Sequence, residues 1–104
     1  MPNHSPWFNH VIDERNLNQM GYELLGAGRA DDALKVLTAN QEQFPQSANV
    51  YDALGDAYEK KGDKQNAVLY AKKALEKLAA QTDLRPEFRD GIKRSAEDKI
   101  NRLQ

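Results

Sequence analysis

One pattern occurs twice in this chain, displaced by 34 residues. Tyr51, Leu54, Gly55, Tyr58, Gly62 and Ala67 repeat in kind and spacing Leu17, Met20, Gly21, Leu24, Gly28 and Ala33. A fixed period of that length marks a helix pair stacked on a copy of itself, because one pair alone cannot bury its apolar face. The expected class is therefore all-α. Small residues recur at Gly21 and Ala33, and again at Gly55 and Ala67, where paired antiparallel helices have to approach closely.

In chain order, residues 1–12 read as an irregular lead-in carrying two prolines, two histidines and the apolar residues Trp7, Phe8, Val11 and Ile12. Trp7 and Phe8 are expected either to cover the open end of the helical stack or to mark where a neighbouring domain joins. Asp13 can cap the first helix, whose apolar stripe is Leu17, Met20, Gly21, Leu24 and Leu25. The second helix has Asp31 and Asp32 in its first turn, turns Ala33, Leu34, Val36 and Leu37 inward, and stops at Phe44-Pro45. Ser47 is the expected cap of the third helix, with Tyr51, Leu54, Gly55 and Tyr58 inward and Gly62 in the turn that follows. Asp63 then caps a fourth helix reaching about Ala80. Pro86 starts a fifth, with Phe88, Ile92, Ala96, Ile100 and Leu103 on one face and a charged opposite face that can serve as the outward side of a cap. Gly91 is expected to let this helix sit close against the fourth.

Composition narrows the function. Cysteine is absent, so disulfides, thiolate metal sites and cysteine nucleophiles are excluded together. No run of apolar residues is long enough to span a bilayer, and the N-terminus lacks the basic-then-apolar order of a secretory signal, so the expected location is cytoplasmic. His4 and His10 have no second ligand set at helical spacing, and the serines have no paired base, so neither a metal site, a cofactor site nor a catalytic residue is expected. Residues 1–59 carry 3 basic and 9 acidic side chains, whereas residues 60–104 carry 12 and 7. The acids scattered through the basic half dilute the concentrated field that phosphate binding requires, which argues against nucleic acid.

These residues together resemble the tetratricopeptide repeat family. The likeness covers about residues 14–81, as repeats 14–47 and 48–81 within a region 13–81, followed by a capping helix over 86–103. The first repeat meets the family pattern with Leu17, Met20, Gly21, Leu24, Ala33, Leu37 and Pro45, and has Asn40 where a second alanine is usual. In the second repeat Tyr51, Leu54, Gly55, Tyr58, Ala67 and Ala74 match, while Ala71 and Ala79 depart from it. The resemblance implies two helix-turn-helix repeats stacked as a short right-handed solenoid. More narrowly, Asn40 with the stretch from Phe44 to Tyr58 is similar to the short repeat tail of many bacterial serine hydrolases. Their Gly-x-Ser-x-Gly nucleophile motif is absent, so no catalytic residue carries over.

Members of the family bind extended peptides on the concave face, using outward positions of each first helix. Here those positions hold Arg15, Asn18, Gln19, Tyr22, Asn49, Asp52, Ala53, Asp56 and Glu59. The expected site is an acidic strip, Asp52, Asp56 and Glu59, flanked by Arg15, Asn18, Tyr22 and Asn49. It would suit a basic or amide-rich segment, unless the basic C-terminal half uses it intramolecularly. The implied function is a non-catalytic protein-interaction module with a protein or peptide partner, monomeric or weakly dimeric through Trp7 and Phe8. The alternative is a structural or oligomerisation module detached from a larger hydrolase-type protein. Asn40 is expected to be buried and to bond the backbone of the Phe44–Ala48 connection, since a buried amide needs partners.

Overall fold

The structure, a computed structural model, describes residues 14–104. Among them are five helices and no strand: α1 (Glu14–Gly26), α2 (Ala30–Gln43), α3 (Ala48–Lys61), α4 (Lys64–Ala80) and α5 (Pro86–Leu103). The expectations for Asp13, for the residue 1–12 lead-in and for His4, His10, Trp7 and Phe8 lie outside the described residues.

Local chemistry sets these boundaries. Gly28 and Gly62 take φ of 78° and 91°, a left-handed conformation that glycine adopts without a Cβ penalty, and each ends a first helix. Asp63 caps α4 by accepting from the Asn66 amide. Pro86 stands at the start of α5, where its missing amide hydrogen costs nothing. Ser47 departs from expectation, because its hydroxyl donates to the Glu14 carboxylate and makes no side-chain cap. A charge-assisted bond outcompetes a neutral cap, and the Ala48 amide at the start of α3 donates separately to Gln81 Oε1 at 2.7 Å.

Helix α1 packs on α2 and α3, α3 packs on α4, and α5 lies across α4 with a smaller contact to α3. The first core joins Leu25, Ala33 and Leu37 to Val50, Ala53, Leu54 and Ala57, tying the first helix pair to α3. A second joins Tyr51, Ala71 and Ala74 to Ala96 of α5, and a third joins Ala48 and Leu78 to Ile92. Tyr70 stacks between Tyr51 and Tyr58, its ring centroid 6.2 Å from one and 5.3 Å from the other. Offset aromatic pairs of this kind lock the angle between α3 and α4.

Several inward assignments need correction. Met20 is 47 % exposed, although its counterpart Leu54 is 1 % exposed. Leu54 is covered by the helix pair before it, and α1 has no helix before it among the described residues. Phe88 is 49 % exposed, and Ile92, one turn further along α5, is the first residue of that stripe to pack against Leu78 of α4. Gly91 has open space around its Cβ direction, so it allows no close approach. Asn40 is buried, but its amide reaches the carbonyl of Glu14 at 2.9 Å and Asn18 Oδ1 at 3.0 Å, not the Phe44–Ala48 connection. It ties α2 to α1, and Asn18 carries the link onward to the carbonyl of Asn49 in α3.

Replacing Asn40 with leucine is expected to cost roughly 1–3 kcal/mol, since a buried carbonyl and the Asn18 side chain lose a donor. Urea unfolding measures this. The glycines should separate cleanly in the same assay. A Cβ at Gly21 would lie 2.6 Å from the buried Leu37 side chain, so Gly21→Ala should destabilise by roughly 1–3 kcal/mol. Gly91→Ala, in open space within a helix, should instead stabilise by roughly 0.5–1 kcal/mol.

Candidate functional site

The expected acidic strip runs along α3, with Asp52, Asp56 and Glu59 at i, i+4 and i+7 so that all three project from one face. That face meets α5. Lys99 Nζ lies 2.8 Å from Asp52 Oδ1 and 2.7 Å from Asp56 Oδ1, and the lysine is 1 % exposed. Its aliphatic stem crosses Gly55, where a Cβ would come within 3.2 Å of Cε. One turn further, Arg102 bridges Glu59 through Nη1 and Nη2 while its Nε bonds Asp98 at 2.8 Å. On the opposite side Tyr22 of α1 donates its hydroxyl to Asp56 Oδ2.

The strip is thus occupied from within, by the basic half of the chain. Asp52, expected on the surface, is buried at 5 % exposure, and Asn18 and Ala53 are buried as well. The reasons are tertiary: α5 covers Asp52 through Lys99, Ala53 packs in the core between α3 and the first helix pair, and Asn18 is enclosed by its bonds to Asn40 and Asn49. Arg15 and Gln19 are exposed, Tyr22 is partly so, and Asn49, Asp56 and Glu59 are half-buried.

Charge inside this cluster is finely balanced. Burial pushes the Asp52 carboxyl above its ordinary range, against the pull of Lys99. Burial also works against the Lys99 ammonium, yet the two carboxylates outweigh it and hold the lysine above its ordinary 10.5. The Tyr22 phenol is pushed far up by burial of its hydroxyl end and by the Asp56 charge. Glu59 is held below its ordinary value by the hydrogen bond from Arg102. Lys99 Nζ also donates to Ser95 Oγ at 2.9 Å, one turn back. A lysine beside a serine activates the hydroxyl only when the amine is neutral. Here two carboxylates hold the amine in its charged form, so the contact is a hydrogen-bond partner for a buried charge. Among the described residues no three His, Cys, Asp or Glu side chains converge as a metal site.

Two openings remain on either side of the polar bridge. The larger, about 850 Å³, gathers the N-terminal ends of α1, α3 and α5 together with the loop after α4. Phe44, Leu84, Phe88 and Ile92 supply its apolar lining, Ser47, Asn49 and Gln81 supply neutral polar groups, and Glu14, Arg15, Asp83, Arg85 and Glu87 supply charges of both signs. The smaller, about 500 Å³, is lined by Tyr22, Leu25, Gly26, Asp56, Glu59 and Lys60. The expected groove residues therefore fall into three sets: Arg15 and Asn49 at one opening, Tyr22, Asp56 and Glu59 at the other, and Asn18 and Asp52 buried between them.

The residues that reorganise the site, Lys99 and Arg102, come from the basic C-terminal half, the internal alternative to an external ligand for the strip. A signal for Lys99 was present. It stands on the stripe Ile92, Ala96, Lys99, Leu103, with the i, i+4, i+7 spacing of an inward face. No membrane-spanning helix occurs among the described residues. A scan against known protein families and a search of curated proteins give no match to the chain.

Lys99→Met should destabilise by roughly 3–5 kcal/mol, because it leaves the buried Asp52 carboxylate without its cation, while half-buried Asp56 keeps the Tyr22 hydroxyl. Adding Asp52→Leu and Asp56→Asn should restore most of that loss. Groups raised in the folded state contribute stability that is complete below their unfolded values and lost as pH rises through the folded ones. Lys99 and Tyr22 are both raised, from ordinary values of 10.5 and 10.0. The wild-type melting temperature should therefore fall as pH passes about 10. The triple variant, which lacks the lysine, should show a shallower alkaline decline in calorimetry.

Proposed function

We propose that this chain is a non-catalytic protein-interaction module of the tetratricopeptide type, holding an extended peptide segment in the larger opening. Equivalent positions of the two sequence repeats touch one another: Tyr22 and Asp56, separated by 34 residues, share a hydrogen bond. That contact supports side-by-side stacking of α1 and α3 in register. Supporting it further, Ser47 with Glu14 and Ala48 with Gln81 repeat a link across 33 residues.

The observation that carries the binding reading is the larger opening itself. It offers a partly exposed apolar wall and, beside it, the side-chain amides of Asn49 and Gln81, able to pair with a peptide backbone. A basic ligand is disfavoured, because Lys99 and Arg102 already neutralise the carboxylates that would attract it. The amide-rich alternative fits better, with one aromatic or large aliphatic side chain set against Phe88 and Ile92. A second reading, a structural or oligomerisation module of a larger hydrolase-type protein, draws on Met20, whose exposure contrasts with that of Leu54.

Titration with extended amide-rich peptides carrying a single aromatic residue tests the first reading. Amide resonances of Asn49, Gln81, Leu84 and Phe88 should shift with micromolar affinity at best, and Phe88→Ala should weaken binding roughly tenfold. Shifts confined to Tyr22, Glu59 and Lys60, or none at all, would defeat it.

A further inference from the structure

The larger opening has a feature that an external ligand does not account for: the chain itself enters the described region at its rim. Glu14, the first described residue, lines the opening. Whatever precedes Glu14 is therefore tethered there. Within the seven residues before it stand Trp7, Phe8, Val11 and Ile12, an apolar density found nowhere else outside the five helices. At no more than about 3.6 Å per residue, Val11 and Ile12 are confined to roughly 11 Å of Glu14, and Trp7 to roughly 25 Å.

The opening matches such an occupant. Its apolar lining comes from Phe44, Leu84, Phe88 and Ile92, and Phe88 is half exposed although it is the first large apolar residue of a helix whose later ones are covered. Large aromatic side chains bury most where one face can stack and the remaining edge stays wet, which a pocket of about 850 Å³ with a polar rim permits. A short tether raises the local concentration of the attached segment to about the millimolar range, so even weak docking is populated.

We infer that the larger opening is the docking site of this chain's own Trp7–Ile12 segment, which competes in cis with any external peptide. This rests on the proposed reading of the opening as a docking surface and adds its regulation: an external segment binds only by displacing the internal one. The apolar edge around Met20 is the other surface within reach of the tether. It lacks the enclosing wall that three helix ends and a loop build around the opening.

Trp7 is the chain's single tryptophan, so its fluorescence reports on this contact alone. In the full chain its emission should be blue-shifted, and acrylamide should quench it several-fold less efficiently than in urea. Phe88→Ala should raise the quenching towards the unfolded value while circular dichroism stays native, because Phe88 is half exposed and lies outside the buried clusters. Met20→Ala should leave the quenching unchanged. A wild-type tryptophan as accessible as in urea, quenching indifferent to Phe88→Ala, or a response to Met20→Ala alone would overturn the inference. The double variant Trp7→Ala/Phe8→Ala should bind the amide-rich aromatic peptide several-fold more tightly than wild type. Protection of Trp7 without peptide binding in either chain would instead retain the internal contact and reject the external ligand.

Discussion

Lys99 can remain charged at 1 % exposure only because Asp52 and Asp56 stand within 2.8 Å of its ammonium. The placement of the C-terminal helix depends on that arrangement. A buried ion pair adds little net stability over an apolar replacement, but a lone buried charge is costly. The cluster therefore acts mainly as a register lock. Sliding α5 by one turn, about 5.4 Å, would strand one lysine and two carboxylates at once, whereas the apolar contacts of Ile92 and Ala96 tolerate small displacements. Gly55 is part of the same device, because only a residue without a side chain leaves room for the lysine stem over α3.

The lock reaches further than α5. Asp56 accepts from Lys99 on one side and from Tyr22 on the other, so α1, α3 and α5 are joined through one carboxylate. A second polar line, from Asn40 through Asn18 to the Asn49 carbonyl, binds the C-terminal end of α2 to the N-terminal halves of α1 and α3. Buried polar groups cost free energy unless each finds a partner, and here the partners sit on different helices, although Asn40 Oδ1 is buried without one. Satisfying them requires several helices to be in place together. The module accordingly gains specificity of arrangement from its polar residues and most of its cohesion from alanine and leucine contacts.

The same polar lines shape the surface left for binding. They separate two openings, each lined by both apolar and charged side chains. Electrostatic attraction, the natural guess for an acidic strip, is spent inside the molecule.

Helix number, helix ends and inward faces were legible in the residues, because they depend on neighbours within one or two turns. The 34-residue period, the glycines at 28 and 62, Asp63 and Pro86 act locally, and all five helices follow from such signals. The all-helical class was legible for the same reason. The site was not, since exposure is a property of what packs from elsewhere in the chain. Asp52 and Asn18 hold outward positions on their own helices and are buried by others, while Met20 and Phe88 hold inward positions and are exposed because no described helix covers them. Lys99 shows the boundary between the two. Its place on the inward stripe could be counted from Ile92 and Ala96, but only the tertiary structure brings two carboxylates 43 and 47 residues away to meet it.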